Sequence, residues 1–347
     1  MKIETKLVPS QKGDITLYTL TNSQGASVVL SSLGCGIVSI NVPDRNGNIA
    51  DVVIGYDDAT SYFYDGPCAG KVPGRYANRI AKGHLVVDGV EYQLAINNGP
   101  NALHGGPEGF QNQIWDSKVE GERVIFSRLS VDGEENYPGN LKAEVEYTWN
   151  DDCELKLTMR ATTDKTTVVN LTNHAYFNMA GENAGNVFEQ KLWLGCSNYL
   201  PTDDTLIPTG EIAPVKDTPM DFTVEKPIGR DIKQDFAALN YGKGYDNCWV
   251  VDNWVKGELK HVATLTDENS GRVLEVSTTQ PAAQVYTGNW LAGCPVSKSG
   301  RSYNDYDGVA IECQGMPDAP NKPNFPSQLL RPGEEYNEAI IFKFKTK

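Results

Sequence analysis

Thr166–Gly181 reads TTVVNLTNHAYFNMAG, a β-branched run that leads into a histidine flanked by amides and aromatics. With its first part extended, side chains alternate, so Asn170, Thr172, His174 and Tyr176 share one face while Val169 and Leu171 share the other. One face is therefore polar in a segment that otherwise reads as interior. Polar groups taken out of water must be hydrogen-bonded or lose free energy, so such a face belongs to a satisfied network or to a pocket for a polar ligand. An isolated histidine is more often a core residue held by a carbonyl. The balance tips toward a pocket because a second histidine, His104, sits in the loop-like stretch NNGPNALHGGPEGFQNQIW at 97–115, and histidines in glycine-rich loops tend to serve chemistry.

Outward from this stretch the periodicity is that of strands. Ile15–Leu20, Ala26–Leu30, Ile37–Val42, Leu85–Leu94, Val124–Leu129, Lys142–Trp149, Leu155–Ala161, Leu192–Leu194, Trp249–Val251, Ala263–Thr266, Val273–Thr278, Val309–Cys313 and Ala339–Phe344 are short and rich in Val, Ile, Thr and Tyr. Turn signals such as Asp88-Gly89 and Asp132-Gly133 bound them. Only Asp57–Tyr64 and Ile232–Leu239 suggest short helices. With no linker, repeat or low-complexity segment, the pattern predicts an all-β chain: residues 1–347 as a single domain, a large antiparallel β-sandwich with a concave face on which a ligand meets several strands.

Composition narrows the partners. A formal net charge of −14 and a pI near 4.8 repel phosphate backbones and anionic membrane surfaces, which argues against nucleic acid. No run is long and apolar enough to span a bilayer, and the N-terminus lacks the apolar core of a signal peptide. Seven scattered cysteines without a CxxC pair suggest neither a disulfide framework nor a zinc site. A cytoplasmic protein is expected.

Four further stretches carry candidate chemistry. In Gly70–Gly83 the arginines Arg75 and Arg79, with Asn78, stand among small and apolar residues and need partners if enclosed; Arg79 can clamp a ligand oxygen. In Gly244–Trp249, Asp246 lies between aromatics, a common grip on sugars, in which the carboxylate accepts from hydroxyls and the rings cover C–H surface. Gln284 and Asn289 fall in Thr279–Trp290. Glu312 lies inside a strand pattern between Ile311 and Cys313, where burial should perturb its pKa. Asn198–Gly210 and Thr218–Phe222 read as structural turns whose aspartates act as caps.

GRYANRIA, NALHGG, NLTNHAYFNMAG, YLPTDDTLIPTG, GYDNCW, QVYTGN and GVAIECQGMPDAP, in that order from about Gly70 onward, resemble the aldose 1-epimerases, also called galactose mutarotases. The resemblance implies a galactose mutarotase-like β-supersandwich and an enzyme that interconverts the anomers of free aldohexoses. It also implies Glu312 as general base, His174 as general acid and His104 as a second active-site histidine, with Asn78, Arg79, Asp246, Gln284 and Tyr176 around the sugar. In that chemistry a base removes the O1 proton while an acid protonates the ring oxygen O5; the ring opens, the C1–C2 bond rotates, and the two groups reverse roles. It needs no cofactor and no metal, only a small-molecule aldose, and suits a monomer or homodimer. A carboxylate raised by burial and an imidazolium held by acceptors would be a suitable pair. The chain departs from the family pattern at Asn247, where a histidine is common, and in Leu291–Tyr306, which lacks a match; both bear on sugar preference. The alternatives are a non-catalytic carbohydrate-binding sandwich, which needs no acid–base pair, and a mutarotase of a hexose 6-phosphate, which needs a more basic pocket.

Overall fold

A computed structural model describes residues 1–347. Three antiparallel sheets carry the architecture. Lys2–Val8, Ile15–Thr21, Ser27–Ser31, Gly36–Pro43 and Ile49–Asp51 form a five-stranded meander. A nine-stranded sheet runs in the order Asp116–Glu120, Arg123–Ser130, Leu141–Trp149, Glu154–Thr163, Tyr336–Thr346, Arg272–Thr278, Lys260–Thr266, Lys191–Leu194 and Lys226–Pro227. A six-stranded sheet has the order Tyr176–Phe177, Val309–Gln314, Ala282–Tyr286, Asp246–Val250, Asn198–Leu200 and Ala213–Pro214.

Side-chain alternation in the six-stranded sheet separates core from site. Trp249, Ala283, Val285, Val309, Ile311 and Cys313 belong to a cluster of 61 buried residues that also takes in Leu20 and Val28 from the meander and Val145, Leu157 and Phe342 from the large sheet. Burying such a side chain contributes roughly 1.5–3 kcal/mol, so this face fixes the sheet on the core. The opposite face is free to carry polar groups. Register then places Gln284 directly between Cys248 and Glu312, and Tyr176 beside Ala310.

The all-β expectation holds, and the expected strands are present with ends shifted by a few residues; Leu85–Leu94 is a hairpin, His84–Val87 with Val90–Gln93, turning at Asp88-Gly89. Lys2–Val8 and Asp116–Glu120 were not foreseen because they are sheet edges, mostly exposed and without a clean apolar face. Ala282–Tyr286 was not foreseen because its start is small and polar although it is central. The two expected helices change. Asp57–Tyr64 is a 3-10 turn, Ala59–Phe63, capped by the Asp58 carboxylate accepting from the Thr60 N–H. The α-helix near Ile232–Leu239 starts only at Ala237 and ends at Gly242, because Asp231 accepts from Lys226 at 2.7 Å and from Gln234 at 2.8 Å and so holds the preceding residues in a turn.

Thr166–Gly181 keeps its alternation without being a continuous strand. Only Thr167–Val168 and Tyr176–Phe177 join ladders; between them the backbone bonds residues 70–77, with the Asn170 N–H donating to the Arg75 carbonyl and the Ala77 N–H to the Asn170 carbonyl. Val169, Leu171, Ala175 and Phe177 enter the core.

Candidate active site

Over the polar face of the six-stranded sheet lies a cavity of about 710 Å³, whose lining includes His104, His174 and Glu312 together with Asn78, Arg79, Asp246 and Tyr176. His174 is hung by its backbone: its N–H donates to the Lys71 carbonyl and its carbonyl accepts from the Gly70 N–H, both at 2.9 Å. Its ring packs against Tyr176 at 4.9 Å and edge-on to His104 at 5.4 Å. Nε2 lies 3.4 Å from Glu312 Oε1.

Burial drives this pair in opposite directions, because a low-dielectric surround disfavours the charged form of each. The Glu312 carboxyl is raised well above its ordinary range, first by burial and then by the Asp246 charge, with Arg79 opposing. His174 is lowered to about 4, chiefly by burial, with the Lys71 charge acting in the same direction. Both shifts favour the uncharged forms, the proton on the carboxyl and the ring neutral. This differs from the expected imidazolium held by acceptors: Nδ1 of His174 is buried without a protein partner in hydrogen-bond geometry, and the residue's own backbone favours the cation by less than burial disfavours it.

His104 is fixed differently. Its Nδ1 accepts from the Asn78 backbone N–H at 3.0 Å, while its own N–H donates to the Asn78 carbonyl at 3.1 Å. A backbone N–H can only donate, so Nδ1 presents its lone pair and the neutral ring carries its proton on Nε2. His104 is therefore a hydrogen-bond donor to whatever oxygen reaches that nitrogen. Both clamped residues lie in the left-handed region, Asn78 at φ 65° and His104 at φ 53°, a backbone cost that tends to collect at functional sites.

Ligand atoms of His104, His174 and Glu312 lie within 4.8 Å of one another, a grouping able to invite a metal. The donor set does not suit one. A metal at Nε2 of His104 would force its proton onto Nδ1, against the Asn78 N–H, so two ligands remain rather than the three protein ligands that catalytic zinc takes.

Arg79 lies 3.7 Å from Asp246 and donates from Nε to Asn98 Oδ1 at 3.0 Å. Asp246 accepts from Gln284 Nε2 at 2.6 Å. Gln284 is absent from the cavity lining and contacts the site through Asp246, so it orients the carboxylate rather than facing a ligand. Tyr176 lines the wall with its ring, its hydroxyl being committed to the Pro67 carbonyl at 2.9 Å. Arg75 is structural, donating to the Pro138 and Gly139 carbonyls and to Ser130. Asn170 bonds the Ala77 carbonyl and the Gly315 N–H, and Asn289 the Gly242 and Tyr245 carbonyls. Asn247 stands on the opposite face of its strand from Asp246, in the interior, so the departure from histidine does not alter the cavity wall.

Several lining residues escaped the sequence reading. Asp204, Thr205 and Leu206 line the cavity although Asn198–Gly210 reads as turn. That reading suits Asp203, which accepts from the Thr205 and Ile207 N–H groups, but nothing in the pattern marks its neighbour. Ala292, Gly293 and Cys294, from the unmatched segment, and Tyr286 and Trp290 complete the wall.

Comparison with known proteins gives the family. The aldose 1-epimerase family model matches residues 16–343. Galactose mutarotase of Homo sapiens is 45% identical over 337 residues, covering 97% of this chain and 96% of that one; aldose 1-epimerase of Escherichia coli K12 is 38% identical over 94% of each. An aldose epimerase homologue from C. elegans superposes with a TM-score of 0.87 at 31% identity, and a galactose 1-epimerase from Lactobacillus acidophilus with 0.85 at 25%, each covering 99% of both chains. The chain belongs to the aldose 1-epimerase family.

Proposed function

We propose that Glu312 and His174 carry the protons of anomer exchange in this aldose 1-epimerase, an isomerase that mutarotates aldoses. The observation that carries the assignment is the Nε2–Oε1 approach of 3.4 Å on the cavity floor between two groups whose proton affinities burial has displaced. Moving their shared proton across that gap gives carboxylate and imidazolium. In that form Glu312 takes the O1 proton while His174 delivers one to O5; the C1–O5 bond breaks, the aldehyde turns about C1–C2, and reclosure returns each proton. His104 donates to a ring or anomeric oxygen. Asn78, Arg79 and Asp246 hold hydroxyls, with Gln284 bracing Asp246 and the Tyr176 ring forming the wall.

The substrate reading is a neutral free aldohexose such as galactose or glucose. Arg79 is the only arginine or lysine of the lining, against Asp204, Asp246 and Glu312, which disfavours a hexose 6-phosphate. The acid–base pair speaks against a non-catalytic binding protein. The core cluster that joins all three sheets supports one domain over 1–347. No helix is long and apolar enough to cross a membrane. Seven free cysteines, all but Cys294 buried, support a reducing compartment such as the cytoplasm, and the net charge of −14 speaks against nucleic acid. Polarimetry on fresh α-D-galactose and α-D-glucose tests the reading: faster decay of rotation than in buffer is expected with both, and activity confined to the 6-phosphates would overturn the substrate assignment.

A further inference from the structure

We propose that Lys71, which lines no part of the cavity, is a positioning residue for proton transfer, its buried ammonium and its backbone carbonyl together fixing where His174 sits and how readily it releases a proton. The carbonyl is the acceptor of the His174 N–H at 2.9 Å, so the two residues are joined main chain to main chain. The side chain runs into the interior, where Nζ donates to the Tyr62 carbonyl at 2.7 Å and to the Asp65 carboxylate. Lys71 and Asp65 are both fully enclosed, 1% and 0% exposed at the side chain. The passage is made for a long side chain: a Cβ at Gly34 would come within 2.8 Å of Lys71 Cγ and Cδ.

A buried lysine is costly unless paired, and this one is paired inside the segment that builds the cavity wall. Tyr64, Gly66 and Pro67 line the cavity, and the Pro67 carbonyl accepts from Tyr176, whose ring supports His174. The lysine thus anchors wall, ring support and histidine at once. Glu312, His104, Tyr176 and Tyr286 face the His174 ring; the buried Cys68 thiol, pushed up by burial, feels Lys71, Asp65 and Glu312, and the Lys71–Asp65 pair joins His174 through the Lys71 carbonyl. A cation held there makes the imidazolium a stronger acid toward O5, itself a poor base; the lowered proton affinity of His174, to which Lys71 contributes, agrees. Asp65 is pushed up to about 6 by burial, with the Lys71 charge and hydrogen bond opposing.

The inference rests on His174 as a proton carrier, and three variants separate the two. In folded Lys71→Met/Asp65→Asn the acid limb of kcat/KM should move up by about half a pH unit or more, since a buried cation has been removed. Asp65→Asn alone leaves the ammonium less compensated and should move the same limb down. A purely structural role would lower Tm and scale kcat equally at all pH. An unmoved acid limb in either folded variant, or movement of both in one direction, overturns the role of Lys71. Retained turnover in His174→Asn would instead overturn the reading of His174 itself.

Discussion

At the scale of single residues, the proposed mechanism rests on Glu312 and His174, and each proton transfer by a placed side chain typically contributes about 10²–10⁴-fold. Glu312→Gln and His174→Asn should each lower kcat by at least about 100-fold while circular dichroism stays unchanged; near-native turnover in either removes that residue from the mechanism. The pH profile of kcat/KM should be a bell whose limbs belong to the pair. As pH falls through the depressed His174 value of about 4, a second proton enters and no base remains. As pH rises through the elevated Glu312 value, the last proton leaves and no acid remains. A profile with only one limb would contradict a shared proton. Arg79→Ala and Asp246→Asn should mainly raise KM, and unchanged kinetics in both would relocate the sugar. The candidates stood out in the sequence because their types are rare in their settings: a glutamate between Ile311 and Cys313, His174 at the end of a β-branched run, His104 in a glycine-rich loop. Burial of His174 as a neutral ring was not, since desolvation depends on neighbours brought from residues 65–71 and 312.

Among the elements, the decisive one is the short stretch Gly70–Lys71, which pairs with the backbone of His174 on both sides. Gly70 has φ +72°, and a Cβ there would stand 1.9 Å from the Ile37 carbonyl oxygen, closer than any contact allows. Gly70→Ala should therefore destabilise by more than about 2 kcal/mol, from backbone strain and displacement together; urea unfolding checks this, and a wild-type midpoint would show that the chain can yield there. Strands with one apolar face were legible from alternation. Edges such as Lys2–Val8 were not, because only Ile3 and Val8 are partly buried there and they fall on no common alternation. The polar alternation of Asn170, Thr172, His174 and Tyr176 was read correctly, yet the backbone beneath it pairs with an irregular partner that no local pattern announces.

For the whole molecule, the ordered motifs made fold and family legible, whereas the cavity wall from 98–100, 204–206 and 292–294 was hidden, because closeness in space there owes nothing to closeness in sequence. The donor set around His104 predicts that mutarotation persists after exhaustive dialysis against EDTA; loss of activity restored by Zn²⁺ or Mn²⁺ would overturn the acid–base scheme. The sheet order carries one more implication. Tyr336–Thr346, last of the strands along the chain, is hydrogen-bonded between Glu154–Thr163 and Arg272–Thr278 in the interior of the nine-stranded sheet. During synthesis the large sheet stays split into two unjoined halves, each with a bare edge, until this strand leaves the ribosome. Folding should thus wait until this strand has emerged, and a chain ending before Tyr336 should remain protease-sensitive and inactive even though every residue of the cavity is present.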